Sequence, residues 1–161
     1  MGKRNYLIEG VSGTGKTSVC AELRRRGYAA IHGDRELAYQ GDPATGATTE
    51  GRRHEHHIWD VEKVRRLVAN RDDAATFFCG GSRNSKQFID LFDEVFILEV
   101  DAETLCERLD SRDDDWGKHQ SERDLVLRLH ARKEDTPDGI AIDATQPLGS
   151  VVDEILRHVR A

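Results

Sequence analysis

A short apolar run, Tyr6-Leu7-Ile8, passes through Glu9 into the octapeptide Gly10-Val11-Ser12-Gly13-Thr14-Gly15-Lys16-Thr17, and a helical pattern follows from Lys16. The octapeptide fits GxxxxGK[ST] at every fixed position. From average composition, a chance match in a chain of this length is expected in roughly half a percent of cases. Each fixed position has a physical reason. Glycines turn through positive φ and let backbone amides approach a ligand closely. Those amides form a concave anion nest, and the following helix aims its positive end at the same point. Gly10, Ser12, Gly13, Thr14 and Gly15, with Ser18 next along the helix, are therefore expected to bind the phosphates of a nucleotide. Lys16 can reach the outer phosphates as a compact cation. The Thr17 hydroxyl is placed to bind a Mg2+ ion bridging the β- and γ-phosphates. The competing explanation is a glycine-rich β-turn with an incidental lysine.

The rest of the chain alternates strand and helix. Apolar strands are expected at 6–8, 28–32, 74–79, 95–100 and 139–143. Helices are expected at 16–26, 55–69, 85–92, 102–109 and 148–159, with a further one from the N-cap Ser121 carrying Leu125, Val126 and Leu129. Part of 33–53 can be helical (35–39), whereas 41–51 reads as loop. Short, continuously apolar strands joined by helical crossovers imply a parallel sheet with helices on both faces, an α/β fold in three layers.

With 161 residues, the chain corresponds to one domain, 1–161. Its 37% apolar content can build one modest core despite 34% charged residues. A net charge of −6 argues against gripping nucleic acid or an anionic membrane through bulk charge, though it leaves room for a small basic pocket. Cys20, Cys79 and Cys106 are odd in number and far apart, so they read as buried thiols of a reduced cytosol. The opening MGKRNYLIEG lacks the apolar stretch of a signal peptide, and apolar runs such as 95–98 fall far short of a membrane span. A cytoplasmic location is expected.

On the octapeptide and this element order, the chain resembles the small P-loop kinases of the shikimate, gluconate and adenylate kinase type. The resemblance implies a five-stranded parallel sheet in the order 2-3-1-4-5, ATP with Mg2+ as phosphoryl donor, and a lid, here 108–124, that closes over the phosphates. It implies a small-molecule acceptor bound around 33–70 without naming it. Similar kinases place an aspartate after the second strand to orient or deprotonate the acceptor hydroxyl, and Asp34 stands there. An N-cap for a helix near Arg35 is the competing role. The position two residues earlier, a second aspartate in shikimate kinases, is His32, so the Gly33-Asp34 pair looks more like gluconate kinases.

The segment 105–112 resembles the helix entering the lid, where family members use arginines to clasp ATP and stabilise the transferring group; Arg108 and Arg112 lie four apart on one face. A solvated face paired with Glu107 and Asp110 is the alternative. The lid continues Asp113-Asp114-Asp115-Trp116, which suits solvent or a cationic acceptor rather than phosphate. In similar kinases the loop 142–147, with Thr145, runs beside the adenine, although it also reads as a plain strand-to-helix turn.

Three constellations are weaker. Gly80 and Gly81 end the third sheet strand and permit close backbone approach, with Arg83 able to bind an anionic group of the acceptor; a tight turn capped by Ser82 or Asn84 explains the segment equally well. Phe77-Phe78-Cys79 lacks the terminal aspartate of a Walker B, which counts against a mechanical ATPase of the AAA type. His54 and His57 could share a helical face around zinc, but no third ligand is evident, and a solvated helix start or, with Trp59 and Asp60, an acceptor-pocket wall is favoured. The leading expectation is a kinase for a nucleoside, nucleotide or sugar acid, with Lys16, Asp34, Arg108 and Arg112 as catalytic groups. Its rival is a non-catalytic nucleotide switch or slow NTPase.

Overall fold

The computed structural model describes residues 4–10, 14–51, 54–69, 74–110, 124, 127 and 137–160. In chain order the elements are β1 (Arg4–Glu9), α1 (Lys16–Arg25), β2 (Ala29–His32), α2 (Gly33–Glu36), β3 (Ala38–Gln40), β4 (His57–Trp59), α3 (Val61–Ala69), β5 (Ala75–Cys79), β6 (Glu94–Glu99), α4 (Ala102–Asp110), β7 (Ile140–Asp143) and α5 (Leu148–Arg160). Five strands form one sheet in the order β2-β5-β1-β6-β7, with every pairing parallel. Numbered among themselves, these are 2-3-1-4-5, the order the resemblance implies.

Strand β1 is buried from Asn5 to Glu9. Successive side chains of a strand point to opposite faces, so Tyr6 and Ile8 enter one core and Leu7 enters the other. Strand β5 repeats the pattern. Phe77 stacks on Tyr6 with ring centroids 5.3 Å apart, while Phe78 on the opposite face meets Phe92 edge-on at 5.1 Å. On the first face, Val19, Cys20 and Leu23 of α1, Leu105 of α4, and Val151, Val152 and Ile155 of α5 close the core. On the second, Val64 of α3 joins Leu37, Trp59 and Phe88. Burying one such side chain contributes about 1.5–3 kcal/mol, which is why the strands carry apolar residues on both sides. Cys20 and Cys79 are buried as expected, but Cys106, one step round the helix from Leu105, is part-exposed.

Between β2 and β5 the structure departs from the sequence expectation. The 35–39 helix is a single turn, α2, followed by β3, and the helix expected from residue 55 begins only at Val61. Residues 57–59 are instead strand β4, paired antiparallel with β3. Asp60 ends the strand and caps α3, its Oδ1 accepting from the N–H groups of Glu62 (3.1 Å) and Lys63 (3.3 Å). The helical stripe that begins at Ile58 therefore overruns its true start, because pairing with residues some twenty positions earlier outweighs local period. Segment 85–92 also differs: it forms two 3-10 turns, Ser85–Gln87 and Ile89–Leu91, not an α-helix. Asp124 and Leu127 are helical, with Leu127 packed against the first core, whereas Leu125, Val126 and Leu129 lie outside the described residues.

Asn84 locks the hairpin to the end of β5. Its Oδ1 accepts from the Trp59 N–H (3.0 Å) and its Nδ2 donates to the Trp59 carbonyl (2.9 Å), both bonds buried. The side-chain amide thus stands in for a neighbouring strand, rather than capping the turn after Gly81. Replacing it leaves a buried donor and a buried acceptor unmet, at about 1–3 kcal/mol each. Asn84→Ala is expected to lower unfolding stability by about 2–4 kcal/mol, read from urea denaturation; a loss below 0.5 kcal/mol would show that the clamp is not needed (roughly the range of neutral surface changes).

Candidate active site

The parallel strands all stop at one edge, and the candidate residues gather there, where ligands bind in open α/β sheets. Gly10 follows β1 with φ 156°, and a Cβ on it would lie 2.6 Å from Thr14 Oγ1 and 2.8 Å from the Leu98 carbonyl oxygen. No other residue fits that turn. Gly15, at φ 104°, caps α1 in the left-handed region and leads directly into Lys16. The ammonium of Lys16 donates to the Gly10 carbonyl, so the side chain folds back over the loop it follows. Thr14 is buried, while Thr17 and Ser18 are exposed on the first turn of α1, whose positive end faces the loop. Ser12 and Gly13 lie outside the described residues.

Arg108 reaches this loop from α4. Its Nη1 donates to the Thr14 carbonyl (2.9 Å) and its Nη2 to the Ala144 carbonyl (2.6 Å). One planar guanidinium therefore ties the phosphate loop to the turn after β7. In that turn the Thr145 hydroxyl (2.5 Å) and N–H (2.9 Å) both donate to Asp143 Oδ1, and these bonds hold the Asp143 carboxyl below its usual range. Arg112 lies outside the described residues.

Asp34 sits in α2, immediately after β2. It is not an N-cap, since His32 occupies that position. Its Oδ1 lies 3.0 Å from Nε2 of His57, with the two side chains 41% and 32% exposed, so the carboxylate is both held and reachable. Burial pushes the Asp34 carboxyl up. The hydrogen bond from His57 and the electrostatic influence of Lys16, His57 and His32 outweigh that, and hold it below the usual range. Asp34 is accordingly ionised at neutral pH.

The end of β5 closes the other side. A Cβ on Gly80 would lie 3.1 Å from Asp34 Oδ1, and one on Gly81 would lie 3.1 Å from Glu9 Oε1. Arg83 Nη2 stands 3.9 Å from Glu9 Oε1, with the side chains 10% and 2% exposed. Arg83 thus faces a buried carboxylate of this chain. Glu9 stands at this edge, buried at the end of β1, and the motif alone does not single it out. Its signal is a charged residue closing an apolar strand just before the phosphate loop. Trp59 is fully buried in the second core, stacks on Phe88 with ring centroids 5.6 Å apart, and lies so close to Gly33 that a Cβ there would be 2.1 Å from its ring. Asp60 is the cap of α3. His57 stands on β4, so the expected helical face shared with His54 does not exist, and no metal-binding cluster of three ligands occurs among the described residues.

The family model described as AAA domain matches residues 7–136. The chain belongs to that family. Strand β5 of this AAA-domain protein ends on Cys79-Gly80, without a Walker B carboxylate; carboxylates stand instead at the ends of β1 and β2, as Glu9 and Asp34. Its fold is that of the small P-loop kinases. A gluconokinase from Sinorhizobium meliloti 1021 is 20% identical, with 96% of this chain and 90% of that one covered and a TM-score of 0.59. A shikimate kinase from Bacteroides thetaiotaomicron is 15% identical, with 98% and 99% covered and a TM-score of 0.61. A deoxyadenosine kinase from M. mycoides, solved with bound dATP, is 16% identical, with 98% and 100% covered and a TM-score of 0.56. No curated protein matches the chain. No helix among the described residues is long and apolar enough to cross a membrane.

The double anchoring of Arg108 has a measurable consequence. Arg108→Ala is expected to weaken Mg-ATP binding about tenfold or more and to lower stability by about 1–3 kcal/mol, since two part-buried carbonyls lose a charged donor. Calorimetry with ATP and thermal unfolding check both; unchanged affinity would separate Arg108 from the nucleotide site.

Proposed function

We propose that the protein is an ATP-dependent kinase transferring the γ-phosphoryl group to a hydroxyl of a small metabolite, such as a nucleoside, nucleotide or sugar acid. The observation that carries this reading is the ionised, reachable Asp34 carboxylate at the same sheet edge as the phosphate loop. A nucleotide switch requires the loop but has no use for an acceptor-orienting carboxylate. The kinase fold of the structural neighbours supports the reading.

In this mechanism Gly10, Thr14 and Gly15 with Ser12, Gly13 and Ser18 bind the phosphates, and Thr145 borders the base. Thr17 would hold Mg2+ through its hydroxyl, and the ion supplies charge neutralisation on the phosphates when bound. Lys16 stabilises charge on the outer phosphates. Asp34 accepts the hydroxyl proton as the acceptor oxygen bonds to the γ-phosphorus and the bond to the ADP oxygen breaks. Gly80 and Gly81 let the acceptor approach, and Arg83 borders it. Arg112, by resemblance, clasps the phosphates from the lid, while Arg108 holds the loop in shape.

Calorimetry with Mg-ATP and Mg-GTP and a γ-phosphate transfer screen over nucleosides, nucleotides, sugar acids and amino alcohols test the proposal. Transfer to one class is expected. Absence of heat at millimolar nucleotide, or slow phosphate release with transfer to no acceptor, would overturn it. Lys16→Ala is expected to lower kcat by about 100-fold or more in a folded protein. Asp34→Asn is expected to lower transfer by about 100-fold or more while leaving ATP affinity near wild type; equal losses in both would make Asp34 structural.

A further inference from the structure

We infer that His57 is a positioning residue for phosphoryl transfer, fixing the Asp34 carboxylate so that one oxygen is held and the other is presented to the acceptor hydroxyl. The inference rests on the kinase reading above and adds the group that aims its carboxylate.

An ionised carboxylate only accepts hydrogen bonds, so the 3.0 Å contact requires the proton on Nε2 of His57. Oδ1 is then occupied by His57, and the carboxylate can no longer rotate freely about its terminal bond. Oδ2 is left to meet a hydroxyl at the sheet edge. Nothing about the sequence neighbourhood of Asp34 supplies this partner, which comes from 23 positions away.

The hairpin delivers the imidazole from a fixed frame. His57 pairs with Gln40 across β3 and β4, and its carbonyl accepts from the Arg83 N–H at 2.8 Å. Two residues on, Trp59 is clamped on both backbone groups by Asn84. The backbone carrying His57 is thus tied to the turn after β5 at two points, and the Trp59 ring fills the space beneath Gly33 and Gly80 on either side of Asp34. A small movement of a reacting group costs about 100-fold per ångström in favourable cases, so a frame of this kind has a kinetic effect.

The groups facing Asp34 are Lys16 from α1, His32 from β2, His57 from β4 and the Cys79 thiol from β5. Of these, the hydrogen bond from His57 is the largest influence lowering its carboxyl. Removing the imidazole leaves burial less opposed, and the carboxyl must titrate at higher pH. Lys16 and His32 remain, so the shift is partial.

The test compares wild type, His57→Ala, His57→Gln and Asp34→Asn. The carbon-13 titration of the Asp34 carboxyl in the free protein, assigned by its loss in Asp34→Asn, is expected to move to higher pH in His57→Ala. With the acceptor found in the transfer screen, His57→Ala is expected to lower kcat about 10- to 100-fold at unchanged KM for ATP. The acid limb of its rate profile should move up with the carboxyl. His57→Gln, whose amide nitrogen can replace Nε2–H, is expected to recover most of the rate. An unmoved titration or an unchanged kcat in His57→Ala would overturn the inference while leaving the kinase reading intact. Equal impairment of folded His57→Ala and His57→Gln would overturn it too. If wild type transfers to no acceptor, the kinase reading falls and takes this inference with it.

Discussion

Strand β1 has no solvent face. Tyr6 and Ile8 are covered by helices on one side and Leu7 by α3 and its neighbours on the other, and parallel neighbours satisfy its backbone along both edges. A strand buried this way can reach water only at its ends. Where it ends, Glu9 and Gly10 must turn the chain back over the sheet within van der Waals contact of Leu98. The glycine that opens the loop is therefore required by the way the central strand terminates.

The opposing side of the site is governed by polar satisfaction. A three-residue strand such as β4 contributes little stability by itself. It is held because its buried backbone finds partners in Gln40, in the Arg83 amide and in the Asn84 side chain. These bonds link the segment after β2 to the segment after β5. Asp34, His57, Gly80 and Trp59 thus form one unit, in which a side chain added at Gly33 or Gly80 would meet the indole. Arg108 performs the corresponding task at the glycine-rich loop by bridging the turns after β1 and β7.

Electrostatics divides the edge into the side of the glycine-rich loop and the side of Asp34. Lys16, Arg108 and the start of α1 concentrate positive potential at the loop despite the net charge of −6. The Asp34 side contains its charges in pairs, Asp34 with His57 and Glu9 with Arg83. Bulk composition would not suggest either arrangement, since both arise from a few groups brought close at strand ends.

The sequence by itself determined the layered α/β architecture, the sheet order implied by family likeness, the glycine-rich motif between β1 and α1, and the position of Asp34 after β2. These follow from local signals: short apolar runs, a fixed glycine spacing, and an aspartate immediately after a strand. Only the tertiary structure decided that 57–59 is a strand, that Asn84 clamps Trp59, that Arg108 spans two backbone turns, and that His57 meets Asp34. Each of those depends on partners well separated along the chain, from 17 to 94 positions. Periodicity is blind to such distances, because a helical stripe and a clamped hairpin can use the same apolar residues until the fold places a partner beside them.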